Sequence, residues 1–334
     1  MFDIPVLLAL IVLVALVFDF TNGAHDCANA IATVVSTKVV TPRFAVGAAA
    51  VLNLGGALLG TEVAKTLGSG IVLPQVVDGS HVLVLAALVG AIAWNCITWY
   101  FGIPSSSSHA LIGGLIGAAV ADAGFGALNG KGIWDKVLVP LVASPLAGYM
   151  VGFCCMWTIY WICGRIHRRK VNASFRRLQL VSAAFMAISH GLNDAQKTMG
   201  IVTLALMIFG KIDTVEVPLW VKFSCAGAMA MGTAVGGWKI VKTMGHRIFK
   251  LEPVHGFAAE SSAAIVITGA SLMGAPVSTT HTISACIFGV GSTKRLSAVR
   301  WSVAANLVTA WVLTLPAAGV IGFISYWLLH FIWN

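Results

Sequence analysis

The sequence has few charged residues: only 10% of its 334 residues are Asp, Glu, Lys or Arg, whereas 58% are hydrophobic. Soluble globular domains carry about 25% charged residues, so this composition excludes them. The apolar runs also lack the alternation over ~10 residues that is typical of a transmembrane β-barrel. Several runs approach the ~20 residues that a helix needs to cross a bilayer. The composition therefore predicts an all-α polytopic membrane protein that contacts the lipid bilayer.

Other features that the sequence lacks argue against further classes of protein. The 21 basic residues exceed the 12 acidic ones, but we interpret them as loop charges that follow the positive-inside rule and expect no nucleic-acid partner. Most of the seven cysteines lie in apolar runs, so we expect no disulfide framework. The run of four serines lacks the Gly-Lys-Ser/Thr end of a Walker A loop. The N-terminus lacks a basic segment, so we expect the first apolar run to be retained.

Two polar stretches interrupt the apolar runs. Residues 22–30 read Asn-Gly-Ala-His-Asp-Cys-Ala-Asn-Ala, and residues 190–197 repeat the pattern 168 positions later as His-Gly-Leu-Asn-Asp-Ala-Gln-Lys. Ionisable residues inside membrane segments are functional candidates by default. Asp26 and Asp194 are therefore the strongest candidates, either for a coupling cation or for a protonated or metal-bound oxyanion. A helix cap would explain one such Asp, but not two symmetric copies.

Two further pairs of motifs occur in the same order. Residues 60–68 match residues 237–245, and residues 102–109 match residues 274–281. This indicates an internal duplication, with a first repeat at 1–163, a short basic linker at 164–177 and a second repeat at 178–334. We predict five membrane crossings in each repeat. They cover residues 4–36, 43–61, 81–101, 105–121 and 137–163, and then 178–210, 217–236, 254–273, 277–291 and 301–332.

An odd number of crossings in each repeat makes the two repeats inverted relative to each other. The loop charges agree, and they place the linker in the cytoplasm and both termini outside. A single helix over residues 4–36 would be about 50 Å long, against a ~30 Å bilayer core. We therefore predict breaks at Asn22 and Gly23 and at His190 and Gly191. The predicted fold has two inverted-topology repeats with broken helices, re-entrant-like Ser/Thr loops and about 10–12 membrane segments.

The Ser/Thr loops are candidates for an anion site. Residues 105–108 and 278–280 each follow a proline and precede an apolar helix. These residues can simply cap the helix, but a helix N-terminus with free N–H groups and hydroxyls also binds anions. The two termini could converge on one tetrahedral anion. Asn29, Gln196 and Lys197 fall within a helical turn of the predicted breaks; Lys197 could alternatively extend to a membrane interface.

Four histidines lie in the repeated motifs: His25, His109, His190 and His281. A transition-metal site of His and Asp is conceivable, but we identify no pair with ligand spacing within a motif. We therefore predict no resident metal site and expect the histidines to pack or to bond to carbonyls of the broken helices. Two further acidic residues, Asp19 and Glu260, lie in apolar runs and receive no predicted role. Asp19 has Ala187 as its counterpart in the second repeat.

Over nearly the whole chain, these motifs resemble those of the inorganic phosphate transporter (PiT) family. The family's duplicated signature matches residues 23–30 and 191–197, and its Pro-x-Ser-Ser-Ser-His and Pro-x-Ser-Thr-Thr-His loops are also present. The resemblance implies import of inorganic phosphate, free or as a metal–phosphate complex, by symport with sodium or protons in a bacterial or archaeal plasma membrane. It implies no cofactor, and it leaves open whether the chain forms a homo-oligomer.

The resemblance also implies which residues line the site. The implied phosphate ligands are Asp26, Asn29, Ser105, Ser106, Ser107, Asp194, Gln196, Lys197, Thr279 and Thr280. The implied cation ligands are Asn22, Asp26, Asn193 and Asp194.

Three alternatives remain open at this point. One is a sulfate permease of the same superfamily, which the two aspartates disfavour because sulfate carries no proton to donate to a carboxylate. Another is an intramembrane aspartyl hydrolase, for which the duplicated Ser/Thr loops would have no use. The third is a passive channel, whose flux would ignore ion gradients. We predict a carrier and not an enzyme.

Overall fold

The computed structural model describes residues 4–67 and 81–333, and these residues are almost entirely helical, with no β-strand among them. The predicted all-α fold is confirmed. The rest of the loop after the third helix, including Gly68 of a repeated motif, lies outside the described residues. The helices are α1 (Ile4–Ser36), α2 (Pro42–Ala57), α3 (Glu62–Leu67), α4 (His81–Phe101), α5 (Ser107–Ala123), α6 (Gly130–Ile133), α7 (Val139–Cys163), α8 (Arg168–Ile208), α9 (Leu219–Val235), α10 (Trp238–Lys242), α11 (Pro253–Leu272), α12 (Thr279–Lys294) and α13 (Trp301–Trp333).

Several of these helices are suited to a membrane. Within the described ranges, four helical stretches are long and apolar enough to span one: Pro5–Ser36, Val82–Phe101, Gly130–Cys163 and Trp301–Ile332. The third consists of α6, the π-helical turn Trp134–Leu138 and α7. Large apolar side chains are exposed on the outside of the molecule, for example Phe331 at 87% and Trp161 at 78%. Such a surface is stable against lipid and unfavourable in water.

The breaks that we predicted in the first and sixth crossings are wrong, because α1 and α8 are continuous helices of 33 and 41 residues. The two glycines serve close packing instead. A Cβ atom at Gly23 would lie 2.2 Å from the carbonyl oxygen of Met229, and one at Gly191 would lie 2.1 Å from that of Asn53. Small residues allow helices in membranes to approach in this way. A long helix can meet a thinner bilayer by tilting or by extending beyond it.

The basic segment that we predicted as a linker includes the first turns of α8. These turns are attached to the start of α11, because Asn172 Nδ2 donates a 3.0 Å hydrogen bond to Glu252 Oε2 and an Arg168 nitrogen lies 3.5 Å from Glu252 Oε1. The hydrogen bond from Asn172, together with the nearby positive charge, holds the pKa of Glu252 below its ordinary value.

Helices of each half of the chain pack against helices of the other half. Helix α1 packs against α9 of the second half, and α8 packs against α2 of the first half. In the same way α5 packs against α13, and α12 packs against α7. Close glycine contacts recur at these interfaces, between Gly117 and Gly319 and between Gly289 and Tyr149. Neither half could therefore form its packing without the other.

Two apolar clusters enclose the middle of the molecule. The first contains residues of α1 up to Phe18 and residues of α8 from Ala195 onward. The second contains residues of α1 from Cys27 onward and residues of α8 up to Ala187. The two helices therefore pass through the clusters in opposite directions. Their polar stretches lie where one cluster ends and the other begins.

Candidate functional site

The middle of α1 meets the starts of α5 and α12 at Asp26. Ser107, the first residue of α5, donates a 2.9 Å hydrogen bond to Asp26 Oδ2, and Thr280 of α12 donates one of 3.2 Å to Asp26 Oδ1. One turn further along α1, Asn29 Nδ2 donates to Thr279 Oγ1 at 3.1 Å and to Thr280 Oγ1 at 2.9 Å. All of these side chains are buried. Hydroxyl groups from both halves of the chain thus bind one carboxylate.

The middle of α8 provides the second carboxylate. Thr279 donates a 2.7 Å hydrogen bond to Asp194 Oδ2. Lys197 Nζ contacts Asp194 Oδ1, lies 2.5 Å from Ser108 Oγ and donates to the backbone oxygen of Val277 at 2.9 Å. Lys197 is therefore a buried ammonium group in an ion pair, and the snorkelling alternative does not describe it.

The starts of α5 and α12 are defined by equivalent caps. Ser106 Oγ accepts a 3.3 Å hydrogen bond from the backbone N–H of His109, and Ser278 Oγ accepts one of 3.2 Å from that of His281. The rings of His109 and His281 stack with centroids 4.8 Å apart. The two helix N-termini, each with a partial positive charge, are therefore held side by side at the two carboxylates.

The other two motif histidines contact the carboxylates directly. His25 Nδ1 lies 2.8 Å from Asp26 Oδ1, and its Nε2 lies 3.1 Å from Thr98 Oγ1. His190 Nε2 lies 3.0 Å from Asp194 Oδ2, close enough for an ion pair although its direction is poor for a hydrogen bond. The expectation that these histidines bond to carbonyls of broken helices is wrong, because the helices are not broken.

One cluster of this site could hold a cation. Ligand atoms of Asp26, His190 and Asp194 all lie within 4.8 Å of one another. In α8, His190 and Asp194 are one turn apart, so the statement that no pair within a motif has ligand spacing is wrong. Carboxylate oxygens and an imidazole nitrogen suit protons and several metal ions.

Three of the residues expected at the phosphate site make their contacts elsewhere. Ser105 Oγ donates to Thr98 Oγ1 at 2.9 Å and lies 3.3 Å from His25 Nε2. Ser106 is the helix cap. Gln196 accepts a 2.8 Å hydrogen bond from the backbone N–H of Val63 and donates one of 2.6 Å to the carbonyl of Leu192. These side chains support the site without contacting either carboxylate.

The two asparagines expected to bind a cation differ in their surroundings. Asn193 Nδ2 donates to Asp194 Oδ1 at 3.0 Å and to the carbonyl of Val277 at 2.9 Å, while its Oδ1 accepts a hydrogen bond from Ser271. Asn22 is equally buried, but its Oδ1 has no hydrogen-bond partner among the described residues.

Some site residues escaped the sequence reasoning. Thr98 of α4 had no motif to mark it, and Ser108 was only one of four adjacent serines. Glu260 lies apart from the two aspartates, and it accepts hydrogen bonds from Thr33 at 2.5 Å, Ser182 at 2.5 Å and Gln179 at 3.0 Å. Its carboxylate connects α1, α8 and α11.

The arrangement is suited to a tetrahedral oxyanion. The hydroxyls of Ser107, Thr279 and Thr280, the amide of Asn29 and the ammonium group of Lys197 are buried hydrogen-bond donors that meet at the two carboxylates. The carboxylates of Asp26 and Asp194 are the acceptors of this cluster. A bound anion that retains a proton could donate that proton to a carboxylate while the hydroxyls and the ammonium group bind its other oxygens.

This chain is similar to known proteins in sequence and in fold. Residues 22–322 match the model of the Phosphate transporter family. The chain is 49% identical to a "Probable low-affinity inorganic phosphate transporter" of Bacillus subtilis (strain 168) over 328 residues, covering 98% of each chain. It is 49% identical to a protein of the same name from Rhizobium meliloti (strain 1021) over 324 residues, covering 96% of each. A solved structure titled "The sodium-dependent phosphate transporter" has the same fold, with a TM-score of 0.89 and 24% identity, covering 98% of this chain and 100% of that one.

Proposed function

Because this chain belongs to the phosphate transporter family, we propose that it imports inorganic phosphate across a membrane by symport with a cation. The observation that carries the proposal is the pair of buried carboxylates, each bonded by hydroxyls from the start of a helix. Residues of both halves contribute to the site, so movement of one half against the other would expose it to each side in turn. The chain is then a carrier and not an enzyme.

The donors and acceptors favour phosphate over sulfate. Phosphate near neutral pH retains at least one proton, which it can donate to Asp26 or Asp194. Sulfate retains none, so its oxygens would face these carboxylates with repulsion alone. Lys197 and the hydroxyls of Ser107 and Thr279 would bind the remaining phosphate oxygens as hydrogen-bond donors.

The charge of the site supports coupling to a cation. Asp26 and Asp194 bring two negative charges, and Lys197 offsets one of them. A phosphate ion adds at least one more negative charge in a buried volume, where uncompensated charge is costly. A sodium ion or a proton bound near Asp26, His190 and Asp194 would offset this excess. The cation would therefore be needed for anion binding, as symport requires.

We also propose a location and an orientation. The chain would lie in the plasma membrane with the basic segment 164–177 in the cytoplasm and both termini outside. The support is the six Lys and Arg residues of this short segment, because short basic segments stay in the cytoplasm.

Uptake by purified protein in liposomes tests the function. We expect radiolabelled phosphate to accumulate when a sodium gradient or a proton gradient is imposed alone, and we expect sulfate to compete poorly. Repeating the assay with and without Mg²⁺ distinguishes free phosphate from a metal–phosphate complex. Uptake that only equilibrates and ignores both gradients would indicate a passive channel. Equal competition by sulfate would indicate the sulfate permease alternative.

Labelling of single cysteines tests the orientation. In a protein whose native cysteines are replaced, Arg169→Cys would report on the basic segment and Asp213→Cys on the exposed loop after α8. We expect an impermeant thiol reagent added to intact cells to label position 213 and not position 169. The opposite pattern would reverse the topology.

A further inference from the structure

Asp19 is a buried carboxylate that the proposed phosphate site does not use. It lies in α1, two turns before Asp26, and its side chain is 0% exposed. Neither of its carboxylate oxygens has a hydrogen-bond partner among the described residues. An ionised carboxylate in such surroundings is very costly unless something neutralises it. Its presence therefore indicates a ligand of positive charge.

Two neutral oxygen atoms accompany this carboxylate. The polar side chains that interact with Asp19 are those of Asn22, one turn further along α1, and Thr198 of α8. Neither makes a hydrogen bond of standard geometry to it, and Asn22 Oδ1 and Thr198 Oγ1 also have no hydrogen-bond partner among the described residues. Asn22 is 2% exposed and Thr198 is 0% exposed. Four buried oxygen atoms in this cluster are thus unpaired.

The titratable groups that face Asp19 do not neutralise it. Asp194 and Lys197 approach from α8, and Cys225 approaches from α9. The charge of Asp194 repels a negative charge on Asp19. Lys197 already contacts Asp194 and bonds to Ser108 and to the backbone of Val277. The positive charge that Asp19 requires must therefore come from a bound cation.

We propose that Asp19, Asn22 and Thr198 form a binding site for a monovalent coupling cation, either a proton or Na⁺. The carboxylate supplies the charge, and the two neutral oxygens supply ligands for a hard cation or acceptors for a protonated carboxyl. This inference rests on the proposed function, since it names a coupling site of the same carrier. The site includes Asp19 of the first repeat, whose counterpart in the second repeat is the uncharged Ala187.

The position of the site explains how cation binding would favour anion binding. An unneutralised Asp19 adds negative charge next to Asp194 and Lys197, which face the proposed phosphate site. Once a cation neutralises Asp19, more of the positive potential of Lys197 is available to an anion. By linkage, bound phosphate would raise the affinity for the cation by the same factor.

The variant Asp19→Asn tests this inference in liposomes. Asn is close in shape to a neutralised Asp, so phosphate should still enter the site. We expect the variant to exchange labelled for unlabelled phosphate when ion concentrations are equal on both sides. We also expect it to lose the accumulation that the unmodified protein achieves under an ion gradient. The matched control is Asp213→Asn, which removes an exposed carboxylate and should change neither measurement.

Two arms of the assay distinguish the sources of positive charge. If the cation is a proton, phosphate exchange by Asp19→Asn should lose the pH dependence of the unmodified protein. If it is Na⁺, the variant should lose the dependence of exchange on sodium. Thr198→Val provides an independent test, because it removes one ligand oxygen and keeps the side-chain volume. It should raise the cation concentration that gives half-maximal uptake by about tenfold or more, and Thr198→Ser should not.

Each result decides a separate point. Normal accumulation by Asp19→Asn under the same gradient would overturn the inference. Loss of exchange as well as accumulation in a folded variant would assign Asp19 to anion binding, against the inference. If Asp19→Asn does not fold, an unchanged cation dependence in Thr198→Val overturns it. Failure of the unmodified protein to accumulate phosphate under either gradient would refute the proposed function instead.

Discussion

The long helices α1 and α8 occupy equivalent places in the two halves and carry different charges. Each has an Asp that accepts hydrogen bonds from the start of another helix, and each has a glycine pressed against a helix of the other half. Yet Lys197 of α8 corresponds to Asn29 of α1, and Asp19 of α1 corresponds to Ala187 of α8.

The packing of the two halves is thus more alike than their electrostatics. In α8 the carboxylate of Asp194 has a permanent partner in Lys197. In α1 Asp26 has His25, which is charged only when protonated, and Asp19 has neither a hydrogen bond of standard geometry nor an ion pair among the described residues. One half holds a fixed ion pair, and the other half holds carboxylates without one. The function and the cation site that we propose both depend on this difference in charge.

The largest effects should come from removing the two equivalent aspartates. We expect Asp26→Asn and Asp194→Asn each to abolish gradient-driven phosphate uptake, because each removes an acceptor and a charge from the shared site. Their stabilities should differ. Asp194→Asn leaves the Lys197 ammonium buried without its counter-ion, which costs about 3–5 kcal/mol for a broken buried pair. Uptake in liposomes and thermal unfolding in detergent measure the two effects.

A double variant serves as the control for this contrast. Asp194→Asn combined with Lys197→Gln removes both charges, so it should recover much of the lost stability while uptake remains absent. Near-normal uptake by either single variant would refute the claim that both aspartates line the site. Equal stability of the two single variants would refute the difference between a fixed ion pair in α8 and an unfixed carboxylate in α1.

The next effect concerns the hydroxyls that bind the two carboxylates. Ser107→Ala removes a donor to Asp26, and Thr279→Ala removes a donor to Asp194. Losing one hydrogen bond to a charged group costs about 1.5–3 kcal/mol, or roughly ten- to a hundredfold in phosphate affinity. Competition by unlabelled phosphate in the liposome assay measures this change. Unchanged affinity in both variants would mean that the anion site is wrongly placed.

Replacing either of the equivalent glycines, Gly23 or Gly191, by Ala should lower the stability of the fold. A Cβ atom at Gly23 or at Gly191 would overlap a backbone oxygen of the neighbouring helix, and overpacking of this kind costs about 1–3 kcal/mol. Gly55→Ala is the matched control, because a Cβ atom there meets nothing within 4 Å. That change should be neutral or slightly stabilising. If Gly23→Ala were as harmless as the control, close packing would not explain this glycine.

The extent of the helices could be predicted from the sequence because membrane crossings are set by the length of apolar runs. The predicted crossings at residues 81–101 and 301–332 agree with α4 and α13 to within one residue. The internal duplication stays a prediction, which rests on three pairs of motifs that recur in the same order. The predicted breaks are absent, and Gly23 and Gly191 instead meet the backbone of helices distant in sequence. Only the structure reveals such contacts.

Some contacts within the site were not predicted because we expected α8 to be broken. In a broken helix, His190 and Asp194 would not stand one turn apart, so their contact was not expected. In the run of four serines, the sequence could not tell which hydroxyl would point inward. That choice depends on the residue at which α5 begins: Ser106 becomes the cap, and Ser107 contacts Asp26. A helix that began one residue earlier would shift these two roles to Ser105 and Ser106.

The smallest effect should come from the two caps, and here the halves should behave alike. Ser106 and Ser278 accept backbone hydrogen bonds of 3.3 and 3.2 Å at the starts of α5 and α12. Replacing such a cap by Ala costs about 0.5–2 kcal/mol. We therefore expect Ser106→Ala and Ser278→Ala to lower thermal stability by similar amounts and to leave phosphate affinity nearly unchanged. Ser106→Asn keeps the cap and should restore the stability. A loss of affinity in Ser106→Ala as large as in Ser107→Ala would show that the cap hydroxyl also binds the anion. A loss of stability in only one half would show that the starts of α5 and α12, unlike the packing of α1 and α8, have diverged.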